Sequence, residues 1–189
     1  MDWTKYLLSF KGRINRAKLW LALFVILGWM IFLAAITGGL DWLLGIPTRS
    51  IHFDLNEVFG IIDPATYRHA IGLLRTGQVP ARYIVPLLVH VAGMIAFLWI
   101  YAATAIKRLH DRDKTGWWLL PFFVVPGLYE QFADRLPDSY LTVWSARAVS
   151  ALYLWGFAEL YLLKGTNWTN RFGPNPLPKM QSRARTTTA

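Results

Sequence analysis

The sequence predicts an all-α integral membrane protein, a bundle of four transmembrane helices with a short external amphipathic helix. Three observations lead to this prediction. First, 54% of the 189 residues are hydrophobic and 16% are charged, whereas a soluble domain has about 45–50% apolar and about 25% charged residues. Second, the apolar residues form long runs, and many of the ten Trp lie near the ends of these runs, as in the aromatic belts of membrane proteins. Third, Lys and Arg cluster beside the runs.

Two apolar runs are each long enough to cross a bilayer. Residues 19–40 are 22 uncharged residues, and residues 83–106 are 24 residues without a full charge. At about 1.5 Å per residue, either run exceeds a hydrocarbon core of about 30 Å. We therefore predict transmembrane spans at about 19–40 and 83–106.

The two later runs are shorter. Residues 117–129 are 13 uncharged residues with two prolines, a length that also suits a re-entrant segment. We expect a short, Pro-interrupted span at about 116–133, whose polar ends reach the interfaces. The fourth span is expected at about 146–163, and residues from Ser139 onward could extend its helix.

The distribution of basic residues predicts the orientation. If all four runs cross, residues 1–18, 107–116 and 164–189 share one side, with 14 Lys and Arg against three acidic residues. The opposite segments carry six basic and seven acidic residues. Because Lys and Arg are enriched in cytoplasmic loops, both termini are predicted to be cytoplasmic. A re-entrant third run would weaken this asymmetry, which favours four spans.

The chain is predicted to form one membrane-embedded domain over residues 1–176, followed by a flexible basic tail at 177–189. External loops are expected at 41–82 and 134–145. In the first loop, Asp63 and Pro64 are a typical helix start, because Asp caps the N-terminus and Pro suits the first helical position. The helix that follows would lie on the outer leaflet, or form a small packed cap over the bundle.

Three short motifs flank the apolar runs on the predicted cytoplasmic side. We call residues 10–20 the opening motif, residues 107–118 the central motif and residues 165–176 the closing motif. Their order and composition resemble those of the domain of unknown function 805 family of small bacterial inner-membrane proteins. The residues that carry the resemblance are Phe10, Gly12, Arg13, Arg16, Trp20, Lys107, Arg108, Leu109, His110, Asp111, Gly116, Trp117, Gly165, Thr166, Asn170, Arg171, Phe172, Gly173, Pro174 and Pro176. Leu19 and Asn175 depart from the pattern, which usually has an aromatic residue and Asp there.

The resemblance implies a multi-pass protein of the bacterial inner membrane and implies no activity. We expect a non-enzymatic binding or accessory component, whose cytoplasmic face contacts an anionic lipid headgroup or a partner protein. Arginine forks match phosphate and carboxylate groups, whereas the alternative is that these arginines are only topology signals. Asp111 is the expected counter-ion. The predicted face consists of Arg13, Arg16, Trp20, Arg108, Asp111, Trp117, Asn170 and Arg171.

Two polar residues inside the predicted spans allow a different function. His90 and Glu159 could serve a small transporter or channel, since intramembrane ionisable groups often line ion pathways. The structural alternative is that His90 bonds a neighbouring helix and that Glu159 pairs with a basic residue. An unpaired carboxylate in a span is costly, so we expect Glu159 to have a partner or access to cytoplasmic water.

Several other classes of function lack support in the sequence. The chain has no Cys, which excludes disulfides and thiolate chemistry. His110, Asp111 and Asp113 are too close in sequence to form a good metal site, so no metal or cofactor is expected. No nucleophile or phosphate-loop motif is present, and nucleic-acid binding is not expected because the basic residues are divided among three membrane-anchored segments. The sequence leaves open the ligand, the partner and the oligomeric state.

Overall fold

The computed structural model describes residues 2–46, 72, 75–77 and 84–177, and this part of the chain is all-helical. The α-helices whose bounds are described are α1 (Trp3–Leu8), α2 (Arg16–Leu43), α3 (Ile84–Asp111), α4 (Val125–Phe132) and α5 (Tyr140–Phe157). The predicted external helix, most of the loop 41–82 and nearly all of the tail 177–189 lie outside the described residues.

Side-chain caps determine where two of the long helices begin. The Asn15 side chain accepts a hydrogen bond from the Lys18 main-chain N–H at 2.9 Å and starts α2. The Ser139 side chain accepts one from the Thr142 N–H at 3.2 Å and starts α5. Such caps satisfy N–H groups that have no partner within the helix. Because Ser139 begins α5 early, residues 140–145 of the predicted external loop are helical.

The prolines at 121 and 126 do not break the third helical stretch. A 3₁₀ turn (Gly116–Trp118), a π turn (Leu120–Val124), α4 and a second 3₁₀ turn (Ala133–Arg135) follow one another. Proline lacks an N–H and crowds the carbonyl four residues earlier, and a change of helical pitch relieves this conflict. Residues 116–135 are therefore almost continuously helical, although the sequence predicts a Pro-interrupted span.

The long helices pack as two antiparallel pairs. In the first pair, the Trp29 indole N–H of α2 donates to the Gly93 carbonyl of α3 at 3.4 Å. The missing side chain at Gly93 gives Leu33 room to pack against α3. In the second pair, the Tyr129 hydroxyl of α4 donates to the Thr142 carbonyl of α5 at 3.0 Å. After α5, a π turn (Ala158–Leu162) leads into the closing motif.

Two helices in the described part of the chain, α2 and α3, are long and apolar enough to cross a membrane, judged by length and composition. In their most apolar windows, 22% and 18% of the residues are buried. A core helix of a soluble protein would be buried over most of its length, whereas these helices expose Phe24, Ile31, Leu88 and Ile95.

The densest core lies at the end of the bundle that carries the motifs. It joins α1, α2, α3, the third helical stretch and the last π turn, and its fully buried members include Leu19, Ala22 and Leu109. The complete cluster is Tyr6, Ile14, Leu19, Ala22, Ala105, Leu109, Phe122 and Leu160. This packing fixes the helix ends from which the motif side chains project.

Candidate functional site

The three motifs meet at one end of the bundle through bonds to main-chain carbonyls. The main-chain N–H of Thr166 donates to the Asp111 carbonyl at 2.9 Å, and the Asn170 side chain donates to the His110 carbonyl at 2.8 Å. From the opening motif, the Gly12 carbonyl oxygen lies 3.1 Å from His110 Nδ1. The central motif therefore contacts both the opening and the closing motif.

Asp111 forms a buried ion-pair cluster with two arginines. Its Oδ1 accepts hydrogen bonds from Arg13 Nη2 at 3.0 Å and Arg13 Nε at 3.2 Å, and its Oδ2 accepts one from Arg108 Nη1. The side chains of Arg13, Arg108 and Asp111 are 1%, 0% and 3% exposed. The expected contact between Asp111 and an arginine of another motif is confirmed.

Arg13 also fastens the closing motif to the rest of the protein. Its Nη1 donates to the carbonyls of Trp168 at 2.8 Å and Gly173 at 3.0 Å. Its Nη2 donates to the Thr166 carbonyl at 2.7 Å and to the Thr166 hydroxyl at 2.9 Å. Since a guanidinium group has five N–H donors, the bonds to Asp111 and to these three residues occupy Arg13 fully. It has no donor left for a ligand.

The closing motif folds into a compact turn over the central motif. Asn170 and Gly173 exchange two main-chain hydrogen bonds of 3.2 and 3.0 Å, and Gly173 adopts φ +134°, which favours glycine. This turn places the Phe172 ring parallel to the His110 ring, with 3.8 Å between their centroids. The packing of the two rings therefore adds an apolar contact to the polar network.

The amino-terminal helix α1 is tied to the same end of the bundle. The Lys107 ammonium donates to the carbonyl of Tyr6 and, at 3.2 Å, to that of Lys5. The Tyr6 hydroxyl donates to the Lys18 carbonyl at the start of α2. Burial raises the pKa of Tyr6, so its hydroxyl stays protonated and remains a donor.

Glu159 has the partners that the sequence analysis expects. One carboxylate oxygen accepts a hydrogen bond from Arg112 Nε at 3.0 Å. The other accepts one from the Trp155 indole at 3.2 Å and lies 3.6 Å from Lys114 Nζ. The prediction that Glu159 pairs with a basic or hydrogen-bonding group is confirmed, and its two basic partners, Arg112 and Lys114, belong to the central motif.

Two other predicted residues lie at the edge of this cluster. Arg16 is exposed, and its Nη1 donates to the Leu162 carbonyl at 2.8 Å. Trp20 lies one turn further along α2, and its ring packs against Tyr161 with 5.8 Å between centroids. Both residues therefore stand at the boundary between the apolar helices and the polar motifs.

The remaining predicted residues lie farther from the centre of the cluster. Arg171 forms an exposed ion pair with Asp113 at 3.3 Å. Trp117, a member of the predicted face, is 76% exposed and does not pack into the cluster. His90 is half-buried in the first part of α3, well away from the motif end where Glu159 is paired.

Sequence reasoning missed several residues of the site. Thr166 contributes its N–H, hydroxyl and carbonyl to the network, and Arg112 pairs with Glu159. Gly165 packs directly on the Asp111 carboxylate, where a Cβ atom would overlap it. The sequence feature that could have indicated part of the site is Lys164-Gly165-Thr166, a short polar stretch that directly follows the last apolar run.

An open cavity of about 640 Å³, here called the basic cavity, lies beside the ion-pair cluster. Arg16, Lys164 and Arg108 give it positive charge, while its carboxylate, Asp111, is already paired with two arginines. The positive end of the α2 dipole adds to this potential. The lining residues are Asn15, Arg16, Ala17, Trp20, Arg108, Asp111, Tyr161, Lys164, Gly165, Thr166, Asn167, Asn175, Pro176 and Leu177.

The chemistry of this lining suits an anion more than a cation or a reacting group. Guanidinium, ammonium and amide N–H groups are hydrogen-bond donors, and the phosphate of a lipid is a matching acceptor. Among the described residues, no three His, Asp or Glu side chains form a cluster that could hold a metal ion.

Comparison with known proteins gives a family and no relative of known function. Residues 7–174 match the family described as Protein of unknown function (DUF805), and this match covers the opening and central motifs and residues 165–174 of the closing motif. No curated protein and no solved structure matches the chain significantly.

Proposed function

Since the chain belongs to the DUF805 family, whose function is unknown, we infer its role from its own site. We propose that it is a non-enzymatic inner-membrane protein that binds an anionic lipid headgroup. It crosses the membrane four times, with both termini in the cytoplasm. The basic cavity takes the headgroup phosphate on the cytoplasmic side. The observation that carries the proposal is that Arg16 and Lys164 line an open cavity where the apolar helices meet the polar motifs.

Length and exposure support four spans. At about 1.5 Å per residue, the stretch 116–135 is about 30 Å long and the stretch 140–162 about 34 Å, enough to cross a hydrocarbon core. The second of these exposes Leu141, Trp144 and Leu154. Exposed apolar side chains of this size are costly in water, whereas lipid tails accept them.

The basic residues near the cavity differ in burial, and this difference supports lipid binding at Arg16 and Lys164. Arg13 and Arg108 are buried and bonded to other groups of the protein, so their role is structural. Arg16 and Lys164 are exposed and can approach a phosphate. Trp20 and Tyr161 line the same cavity within apolar segments. A lipid whose phosphate binds in the cavity would therefore place its acyl chains beside these aromatic rings, and Trp and Tyr are enriched at membrane interfaces.

Replacing both exposed cations tests the lipid site. We expect Arg16→Gln combined with Lys164→Gln to weaken retention of anionic phospholipid at least about tenfold, because two charge-assisted contacts are lost. Native mass spectrometry of protein extracted from nanodiscs containing equal phosphatidylglycerol and phosphatidylcholine measures the retained lipid. Added inorganic phosphate distinguishes a lipid site, which it displaces poorly, from a site for the free ion.

Arg147→Gln is the matched control, because Arg147 is exposed in the N-terminal half of α5, does not line the basic cavity and stacks on Trp144. It should leave the preference for anionic lipid unchanged. Equal retention of the two lipids by the unmodified protein, or no effect of the double variant, would contradict the proposal.

Reporter fusions test the topology. We expect a reporter that is active only in the cytoplasm to work when fused after Ala189, and one that is active only outside it to work when inserted near Asp54. These results follow from the excess of Lys and Arg in the segments that carry the three motifs, because Lys and Arg are enriched in cytoplasmic loops. A C-terminal fusion that is active only outside the cytoplasm would rule out the four-span topology.

The alternative function, a small transporter that uses His90 and Glu159, has less support. Glu159 is paired with Arg112 at the motif end, whereas His90 lies in the first part of α3. A proton-flux measurement in liposomes would favour this alternative if flux occurred and Glu159→Gln abolished it.

A further inference from the structure

A second cavity of about 200 Å³ lies among the helices and is walled almost entirely by aromatic rings. We call it the aromatic cavity. Phe122 and Leu160 are 3% and 4% exposed and form its floor, whereas Tyr153 and Phe157 are 46% and 42% exposed and form its rim. The cavity is thus open toward the surface that would contact lipid in the proposed four-span arrangement. Its lining residues are Phe97, Tyr101, Phe122, Phe123, Tyr153, Gly156, Phe157, Leu160 and Tyr161.

Two hydroxyl groups stand in this apolar wall. The hydroxyl oxygens of Tyr101 and Tyr161 are 3.5 Å apart, which is the weak limit of a hydrogen bond. A single contact uses the hydrogen of one hydroxyl, so the other hydroxyl keeps a hydrogen without a described acceptor. A polar group in apolar surroundings that lacks a partner is destabilising, and a ligand with an acceptor oxygen would satisfy it.

We propose that the aromatic cavity binds the ring of a membrane-soluble quinone, whose carbonyl oxygen accepts a hydrogen bond from the Tyr101–Tyr161 pair. The proposal does not rest on lipid binding in the basic cavity. A quinone ring is planar and apolar, so it packs against aromatic side chains, and its carbonyl supplies the acceptor. An acyl chain would fill the space and leave the hydroxyl hydrogen unsatisfied. The site binds the ring, and no redox step is part of the proposal.

The protein contains its own reporters for this site. The rings of Trp118 and Trp155 pack on Phe122, with centroids 5.3 and 5.4 Å from the Phe122 ring. A quinone beside Phe122 should quench the fluorescence of these indoles. The full-length protein in lipid nanodiscs can be titrated with duroquinone, a tetramethylated benzoquinone. We expect saturable quenching.

Removing both hydroxyls separates recognition by the pair from simple partitioning. Tyr101→Phe combined with Tyr161→Phe keeps both rings and leaves no donor for the carbonyl, so it should weaken duroquinone binding about fivefold, the effect of one neutral hydrogen bond. Tyr140→Phe is the matched control, because Tyr140 is exposed at the start of α5 and does not line the aromatic cavity, and it should bind like the unmodified protein. Tyr161 also lines the basic cavity, where its ring is kept by the change to Phe.

Durene is the matched control ligand, since it has the same methylated ring without the carbonyls. We expect it to displace duroquinone at least about fivefold less well, because it offers no acceptor to the tyrosines. The proposal is overturned by quenching that rises without saturation, by equal binding of the double variant that lacks both hydroxyls, or by equal competition from durene.

Discussion

We expect Asp111→Asn to lower the free energy of unfolding by about 3–5 kcal/mol, since removing one member of a buried ion pair leaves an uncompensated charge. Arg13 and Arg108 are almost fully buried and both bond the Asp111 carboxylate. The amide that replaces it carries no charge and turns an N–H group toward one of two cations. Unfolding in mixed micelles with an increasing fraction of sodium dodecyl sulfate measures the change.

Asp113→Asn is the control for this variant, two residues further along the chain. Asp113 is 48% exposed on its side chain and pairs with the exposed Arg171, so the change should cost about 0–1 kcal/mol. Asp113 has φ +57°, and Asn tolerates this left-handed conformation. Similar losses for the two variants would mean that the Asp111 cluster contributes no more than a surface ion pair.

The meeting of the motifs was predictable because the sequence carries both the spans and their order. Once the apolar runs are taken as antiparallel helices, Arg13 before the first run and Asp111 after the second must lie at the same end of the bundle. The segments at that end carry 14 Lys and Arg but three acidic residues, so Asp111 is a natural counter-ion for an arginine of another motif. The pairing of Glu159 followed from the same electrostatic argument, although the sequence did not identify Arg112.

The roles of individual arginines were not predictable. Arg13 and Arg16 are equivalent in the sequence, each just before an apolar run, but Arg13 is buried under the closing motif and Arg16 is exposed. The difference arises from carbonyl groups of residues 166–173, whose turn has no periodic pattern that fixes its path. An arginine that bonds carbonyls and one that binds a ligand look alike until that path is known.

Local helix geometry accounts for two further differences. The sequence assigns Trp117 and Trp118 similar interfacial positions, but the 3₁₀ turn directs Trp118 toward Trp155 and Lys114, while Trp117 is exposed. Pro121 lies in a π turn, which depends on packing that hydropathy does not record. The aromatic cavity arises in this same region, so its existence could not be inferred from the sequence.

We expect Arg13→Lys to release the closing motif while the helices stay folded. Lysine keeps the charge and can still pair with Asp111, but its ammonium group has three donors and cannot form the fork that bonds Thr166, Trp168 and Gly173. Losing at least two of these bonds should favour local opening by on the order of 2–4 kcal/mol. Hydrogen exchange of a peptide covering residues 164–176 should therefore accelerate about 30-fold or more.

Arg171→Lys is the control, because Arg171 is exposed and donates to the Asp113 carbonyl at 2.9 Å from outside the network. Its effect on exchange should be small. The Arg13 variant also tests how the basic cavity is built, since Thr166 and Asn167 line the cavity and Arg13 does not. If the closing motif completes a lipid site, Arg13→Lys should reduce retention of anionic lipid without removing a lining cation. If the variant retains anionic lipid fully although the amides of the closing motif exchange rapidly, Arg16 and Lys164 bind the phosphate without the closing motif. The closing motif would then serve only to connect the helix ends.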